Sequence, residues 1–427
     1  MVGATVGYPS RKHVRTAITI SALWAILLGS CGAPRAYEDA MSFELRDPGW
    51  ATENRTRLER MLDELSRRSG RRVAVFDWDN TMMRGDIGDL VLVSLLERSM
   101  VEWPEEFVRS GRPTFEHLEL LTEAARHALE HACGDAVLRG EPGRRRLATA
   151  DSECGRVLAH LAWNGMTPDG DSAFTRPLAP FYRATYGFMA QLIVANRTDE
   201  ELREFTRAIW RDASAAPIRS SRPIGGIEIE RYARLHLPMV ELAHALERMG
   251  VEVWFVSASS QPMVEAMVES IGFSRTRVIG VRMEHDAHGR STTRFEACGE
   301  GPLETPVMTW NEGKRAWISK IIFGLPVASQ RARQDDPSLR PVFAAGDSDG
   351  DLAMLQDATH ARLVLDRQNP RVMCNALSDP SGWIVQPLFV NPMPPRSEPY
   401  PCATFRDSLG PIRDEHGRLI EDRAPRR

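Results

Sequence analysis

The sequence predicts an α/β fold: a three-layer parallel sheet covered by helices on both faces, with a mainly helical cap inserted into it. Two observations carry this expectation. Three short apolar runs, Val73–Phe76, Val251–Val256 and Val342–Ala345, each end abruptly at acidic or hydroxylated residues, as strands buried on both faces do. Between Thr81 and about Ile227 the composition changes to segments rich in Leu, Ala, Glu and Arg, with no run of that kind.

The chain opens with Arg11, Lys12 and Arg15, an apolar run from Ala17 to Leu28, and the small residues Gly29 and Ser30. This is the order of a secretory signal, and the run is short for a spanning helix. Leu28-Gly29-Ser30-Cys31 also resembles the bacterial lipobox, whose cleavage would leave Cys31 as a lipid-bearing first residue. A plain signal peptide cut near Ala33 or Ala36, or an uncleaved anchor, is the alternative. Residues 1–31 are therefore expected to direct export, to a periplasm or, through Cys31, to a membrane as a lipoprotein. Loss of residues 1–30 removes three positive charges and no negative ones, taking the formal charge from −4 to −7.

Of the six cysteines, five lie beyond Cys31, with no short spacing of the kind that holds zinc. Cys374 with Cys402 and Cys133 with Cys154 are the pairings to test first, although sequence alone leaves the connectivity open. The 54 Lys and Arg against 58 Asp and Glu leave no basic field to recommend a nucleic-acid partner. A hydrophobic share of 42% is enough for a sizeable core in 427 residues.

Residues 32 to about 50 read as a tether. From Arg55 to Arg68, Leu58, Met61, Leu62 and Leu65 recur at helical spacing and lead into the first strand. The core is expected over 51–83 and 228–386 and the cap over 84–227, with hinges near Arg84–Asp89 and near Gly225 and Gly226. After the second run, Pro262, Met263, Ala266, Met267 and Ile271 predict a helix stopped by Gly272. Further strands are expected at Val278–Met283 and Leu363–Asp366, and a helix at Glu312–Ile322. Residues 387–427 are rich in Pro and charge without periodicity, so this tail should wrap the surface or stay partly disordered. Sheets of this kind carry their sites beyond the carboxyl ends of the strands, where all three polar clusters lie.

Asp77 and Asp79 stand two residues apart at the end of the first strand. One carboxylate can attack while its neighbour handles protons, which would split phosphate transfer into two easier steps. An isolated Asp-x-Asp is more often a pair of surface carboxylates capping a helix. A phosphate needs compensation for its charge, and the sequence offers it. Asp347 and Asp351 flank a Gly/Ser-rich turn and suit Mg²⁺; Ser257 offers a hydroxyl at a strand end; Lys314 follows Asn311-Glu312-Gly313 at a helix start. Singly, Ser257 and Lys314 would read as an N-cap and a solvated lysine.

Asp77-Trp78-Asp79-Asn80-Thr81 resembles the first motif of the haloacid-dehalogenase superfamily, Val256-Ser257 the second, Lys314 the third and Gly346-Asp347-Ser348-Asp349-Gly350-Asp351 the fourth, in the same order along the chain. The resemblance implies a Rossmann-like core and a phosphatase in which Asp77 is the nucleophile and Asp79 the acid/base. It implies Mg²⁺ held by Asp77, the Asp79 carbonyl and Asp347, with Asp351 acting on the metal's water shell or holding Lys314. Thr81, Ser257 and Lys314 would grip the phosphoryl group. The position of the insertion resembles the phosphoserine-phosphatase-like branch, and Pro177-Leu178-Ala179-Pro180-Phe181-Tyr182 with the exported start resembles bacterial phosphorylcholine phosphatases.

The expected substrate is a small phosphorylated metabolite, with phosphorylcholine the leading named candidate. Trp163, Phe181, Tyr182 and Tyr186 could hold a quaternary ammonium by cation–π attraction, and Asp86 or Asp89 could add charge. The plainer alternative is that the aromatics fill the cap's own core and the aspartates cap a helix. A phosphoserine phosphatase, a phosphotransferase sharing Asp77, and a non-catalytic surface lipoprotein acting as a binding module are the competing readings.

Overall fold

The computed structural model describes residues 44–101, 121–133, 149–296, 298 and 307–425, all within the unit Ser42–Arg427. The expectations on residues 1–31 and Cys31 lie outside these residues. No helix among the described residues is long and apolar enough to cross a membrane.

Six parallel strands form the central sheet: β1 (Val73–Phe76), β2 (Glu252–Ser260), β3 (Val278–Val281), β4 (Phe343–Gly346), β5 (Ala361–Asp366) and β6 (Trp383–Pro387). Their order is β6-β5-β4-β1-β2-β3. The chain therefore winds outward in both directions from β1, and a crevice opens where the order reverses, at the carboxyl ends of β1 and β4.

Side chains alternate across the sheet and bury both faces. Ala74 and Phe76 join Val253 and Phe255 in one core, together with Leu58, Leu62 and Leu65 of the helix Thr52–Ser66. Val73 and Val75 join Trp254 and Val256 in the other, against Trp317, Met354 and Val372. This is the three-layer Rossmann-like arrangement that the apolar runs predict. Two differences have physical reasons. β2 continues through Ser257–Ser260, where a loop is expected, because a register shift against β3 lets the polar end of the strand stay in the sheet. β6 is not evident in the sequence, since its apolar core Trp383-Ile384-Val385 is short and follows a Pro/Ser/Gly turn.

The chain leaves the sheet after β1 and returns before β2 at one place. Met83 and Arg84 pair antiparallel with Leu235 and Arg234. Gly85, at φ +108, passes so close that a Cβ there would lie 2.9 Å from the Tyr232 carbonyl, which explains a glycine at this crossing. Gly225 and Gly226, expected as a hinge, instead form the two-residue turn of the hairpin Ser221–Ile224 and Ile227–Glu230. Their φ values of +58 and +87 suit that turn. Between the crossings lie helices Ile87–Glu97, Glu123–Cys133, Glu153–Ala159, Ala184–Val194 and Asp199–Ala215. The last begins with a capping box of Thr198 and Glu201. Cys133 and Cys154 form a disulfide that ties two of these helices.

The tail is largely irregular but pinned. Tyr400, Cys402, Ile412 and Ile420 are buried in the second core, Cys402 is disulfide-bonded to Cys374, and Arg371 pairs with Asp407. Cys298 is buried and free.

Candidate active site

Asp77 extends β1 by one residue, donating its N–H to the Ala345 carbonyl of β4 at 2.9 Å, so its carboxylate stands at the switch point. Asn80 then turns the chain through the left-handed region, φ +59, which Asn tolerates better than most residues. Asn80 Oδ1 fixes that turn by accepting from Gly85 N–H (3.2 Å) and Arg84 Nη1 (2.9 Å).

Asp77 Oδ1 accepts from Lys314 Nζ at 2.5 Å, and Asp77 Oδ2 from the Thr81 hydroxyl at 3.0 Å. The Thr81 hydroxyl also lies 3.3 Å from Asp347 Oδ1. Lys314 Nζ donates further to the Val256 carbonyl (2.7 Å) and Asp351 Oδ1 (2.6 Å). Burial works against the ammonium, but Asp351 and Asp77 outweigh it and raise its pKa above the usual lysine value. Burial pushes the Asp77 carboxyl well up, helped by Asp351 and opposed by Lys314. Burial likewise lifts Asp347 to about 6, with Arg367 pulling the other way.

Asp79 has a different setting. Its Oδ1 accepts from Ile87 N–H (2.7 Å), and its Oδ2 from the Ser259 (2.7 Å) and Ser257 (3.1 Å) hydroxyls. Those three donors favour the carboxylate, yet burial and nearby Asp86 prevail and raise its pKa to about 8.

A hard divalent cation fits the cluster, because Asp77, Asp347 and Asp351 offer oxygens within 4.8 Å of one another. Asp351 is the least open of the three. Its Oδ1 holds Lys314, and its Oδ2 accepts from the Asp347 and Ser348 N–H groups at 2.9 and 3.0 Å. Of the two expectations for Asp351, holding Lys314 is the one this geometry matches. Gly346 leaves room for it, as a Cβ there would lie 2.5 Å from the Asp351 Cβ.

These groups open onto a cavity walled by Met189, Ala190 and Ile193 from the insertion and Met263 from the helix after β2. Asp86, Asp89 and Tyr186 line it. Asp86 is also the N-cap of Ile87–Glu97, accepting from Gly88 and Asp89 N–H. Burial raises the pKa of both aspartates. Trp163 does not line the cavity; its indole Nε1 donates to Asp89 Oδ1 at 2.7 Å from behind. Tyr182, 1% exposed, packs in the core, and Phe181 lies under the Arg331 guanidinium. The four aromatics therefore do not form a box, because Trp163, Phe181 and Tyr182 do not line the cavity. Tyr186 itself carries Arg183 over its ring at 4.7 Å.

Two further placements differ from expectation. The Ser257 hydroxyl is fully buried and spent on Asp79, so the cavity wall is formed by Ser259, two residues on along the same strand face. Thr81 is fully buried and braces the two carboxylates rather than facing the cavity. Arg367 and Trp310 line the cavity and were not singled out in the sequence. The signal for Arg367 is its position just past the carboxyl end of β5.

At the switch point of this doubly wound sheet a lysine-paired carboxylate thus stands beside a second carboxyl that burial pushes towards its protonated form. Residues 161–356 match the family model described as haloacid dehalogenase-like hydrolase. The match contains Ser257, Lys314, Asp347 and Asp351; β1 adds Asp77 and Asp79 from outside it. No curated protein matches the chain. Among solved structures, the chain is similar to a conserved protein of unknown function from Anaerococcus prevotii DSM 20548, with TM-score 0.50 and 19% identity over 80% of this chain and 94% of that one. A protein of unknown function from Bordetella pertussis Tohama I aligns with TM-score 0.39 and 17% identity over 75% of this chain and 100% of that one. A phospho-aspartyl intermediate analogue of phosphoserine phosphatase aligns with TM-score 0.30 and 12% identity over 70% of this chain and 87% of that one.

Proposed function

We propose that the protein is a Mg²⁺-dependent phosphomonoester hydrolase that works through a phosphorylated Asp77. The observation that carries this reading is the unequal pair at the end of β1. Asp77 is held by Lys314 and Thr81, while Asp79, two residues on, keeps its proton to about pH 8.

Asp77 attacks phosphorus, and the P–O bond to the alcohol breaks. Asp79 gives its proton to the departing oxygen, so the alcohol leaves neutral. Asp79, now a carboxylate, takes a proton from the water that attacks the aspartyl phosphate, which releases inorganic phosphate and restores both groups. Lys314 and Asp351 keep Asp77 oriented throughout. Asp77 and Asp347 would hold Mg²⁺, which when bound offsets phosphoryl charge and polarises a phosphoryl oxygen.

For the alcohol we propose a small amine-bearing group, with phosphorylcholine the leading candidate. The support is a cavity with Asp86 and Asp89 at an otherwise apolar wall of Met189, Ala190, Ile193 and Met263. The signal-like start of the sequence supports a setting outside the cytoplasm.

The test is phosphate release by the protein with Mg²⁺ across phosphorylated alcohols, amines, amino acids and sugars, beside an Asp77→Asn variant. Release should be lost in Asp77→Asn with the fold retained; activity persisting there would sink the nucleophile assignment. Turnover of phosphorylcholine no better than that of p-nitrophenyl phosphate would remove the substrate proposal alone.

A further inference from the structure

Lys314 has nothing left to offer a substrate. Its ammonium carries three N–H groups, and all three are spent, on Asp77, Val256 and Asp351, in a side chain 1% exposed. The cavity wall is otherwise strongly acidic, with Asp77, Asp79, Asp86, Asp89, Asp347 and Asp351 on it. A dianionic phosphate entering such a pocket needs a directed donor that carries positive charge.

The other cation on the wall is Arg367, the first residue after β5. Its Nη1 donates to Asp347 Oδ2 at 2.8 Å. Among the described residues no acceptor takes Nε or Nη2, and the side chain is 40% exposed. A guanidinium holds its donors in a rigid fork, so an edge remains for a ligand while the first contact is kept. The turn that presents it is braced. Gln368 adopts φ +59, its N–H donates to Asp366 Oδ1 at 2.8 Å, and its side-chain amide reaches the Pro394 carbonyl of the tail. Asn369 then caps the helix Pro370–Ser378.

We infer that Arg367 is a phosphate-binding residue, its free guanidinium edge donating to the phosphoryl oxygens of the substrate. Its place decides for the phosphoryl group over a charge elsewhere on the substrate. Asp347, which it holds, shares the Thr81 hydroxyl with Asp77, so Arg367 comes from the sheet side beside the nucleophile and not from the insertion. This assignment rests on the phosphomonoesterase reading above.

The experiment compares wild type with Arg367→Gln and Arg367→Lys at saturating Mg²⁺. The substrate is p-nitrophenyl phosphate, which has no second anionic group. Inorganic phosphate is titrated both as a competitive inhibitor and by calorimetry. Arg367→Gln should raise KM and weaken phosphate binding roughly 10- to 100-fold, with an unchanged Mg²⁺ requirement. Arg367→Lys should recover only part of this, because a point charge cannot serve Asp347 and phosphate together. Unchanged phosphate binding in both variants overturns the assignment. So does a loss confined to substrates bearing a carboxylate, or a raised Mg²⁺ requirement with phosphate affinity intact. If the glutamine variant fails to fold, wild-type phosphate affinity in Arg367→Lys overturns it alone. Wild type that releases phosphate from no ester would instead remove the phosphomonoesterase reading itself.

Discussion

Lys314 Nζ donates to Asp77 Oδ1 across 2.5 Å, joining the helix Glu312–Ile321 to the end of the central strand with both groups buried. Removing one partner of a buried ion pair leaves the other uncompensated, at a cost of about 3–5 kcal/mol. Lys314→Gln should lose stability of that order together with phosphate release. Urea denaturation at pH 7 reads the first and a phosphate assay the second; a midpoint equal to wild type would contradict the pairing.

Asp79 should matter in proportion to how badly the departing alcohol needs a proton. Asp79→Asn is expected to slow hydrolysis of alkyl phosphates by roughly 10²- to 10⁴-fold. In the first turnover, read as the burst of released alcohol, the loss should be much smaller for p-nitrophenyl phosphate, whose phenolate leaves unaided; the later hydrolysis of the aspartyl phosphate is common to both and slows equally. Because burial lifts this carboxyl to about 8, its proton is present below that pH and lost above it. Wild-type turnover of an alkyl phosphate should therefore fall as pH rises through about 8. Equal losses in that first-turnover burst on both substrates would argue against proton donation.

His236 should make the fold sensitive to acid. Its Nδ1 donates to the Thr81 carbonyl at 3.1 Å, and its buried Nε2 meets no partner among the described residues. Burial, with Arg84 adding to it, lowers its pKa from 6.5 to about 4, so as pH falls below 6.5 the unfolded chain takes a proton that the folded one refuses. Stability from this residue is thus full above about 6.5 and drains away towards 4. Between pH 8 and pH 5 the loss is roughly 2 kcal/mol. His236→Asn can keep the donor to Thr81 without titrating, so the difference between the two proteins' urea midpoints should shrink as pH falls.

The Cys374–Cys402 bond closes a separation of 28 residues and fastens the tail to the helix Pro370–Ser378. Cys402→Ser should cost about 3–4 kcal/mol on chain-entropy grounds. Thermal unfolding with and without reductant measures it, and the variant should show no further loss from reduction at that site.

What could be read from the sequence follows from burial. β1, β4 and the stretch Val253–Val256 of β2 are buried on both faces, so each spells an uninterrupted apolar word, and the polar residues that follow it lie at the crevice. Asp77, Asp79, Asp347, Asp351 and Lys314 come together for that reason. Side-chain direction inside the insertion was not legible, since it depends on how helices far apart in sequence pack. Trp163 and Tyr182 thus turned away from the cavity while Tyr186 did not. Ser257 and Ser259 differ only in depth along one strand, which a sequence does not record. Arg367 looks like any solvated arginine until β5 places it beside Asp347.

The pairing of Met83 with Leu235 makes the two ends of a stretch of about 150 residues next-door neighbours, because antiparallel partners lie roughly 5 Å apart. Closing a longer or shorter stretch across a gap already that small changes the entropy only slowly with length. On the proposed function, substrate recognition and catalysis would then sit on separately adjustable parts. The wall bearing Asp86, Asp89 and Met189 can be lengthened, shortened or exchanged at this single junction while Asp77, Lys314 and Asp347 stay where they are.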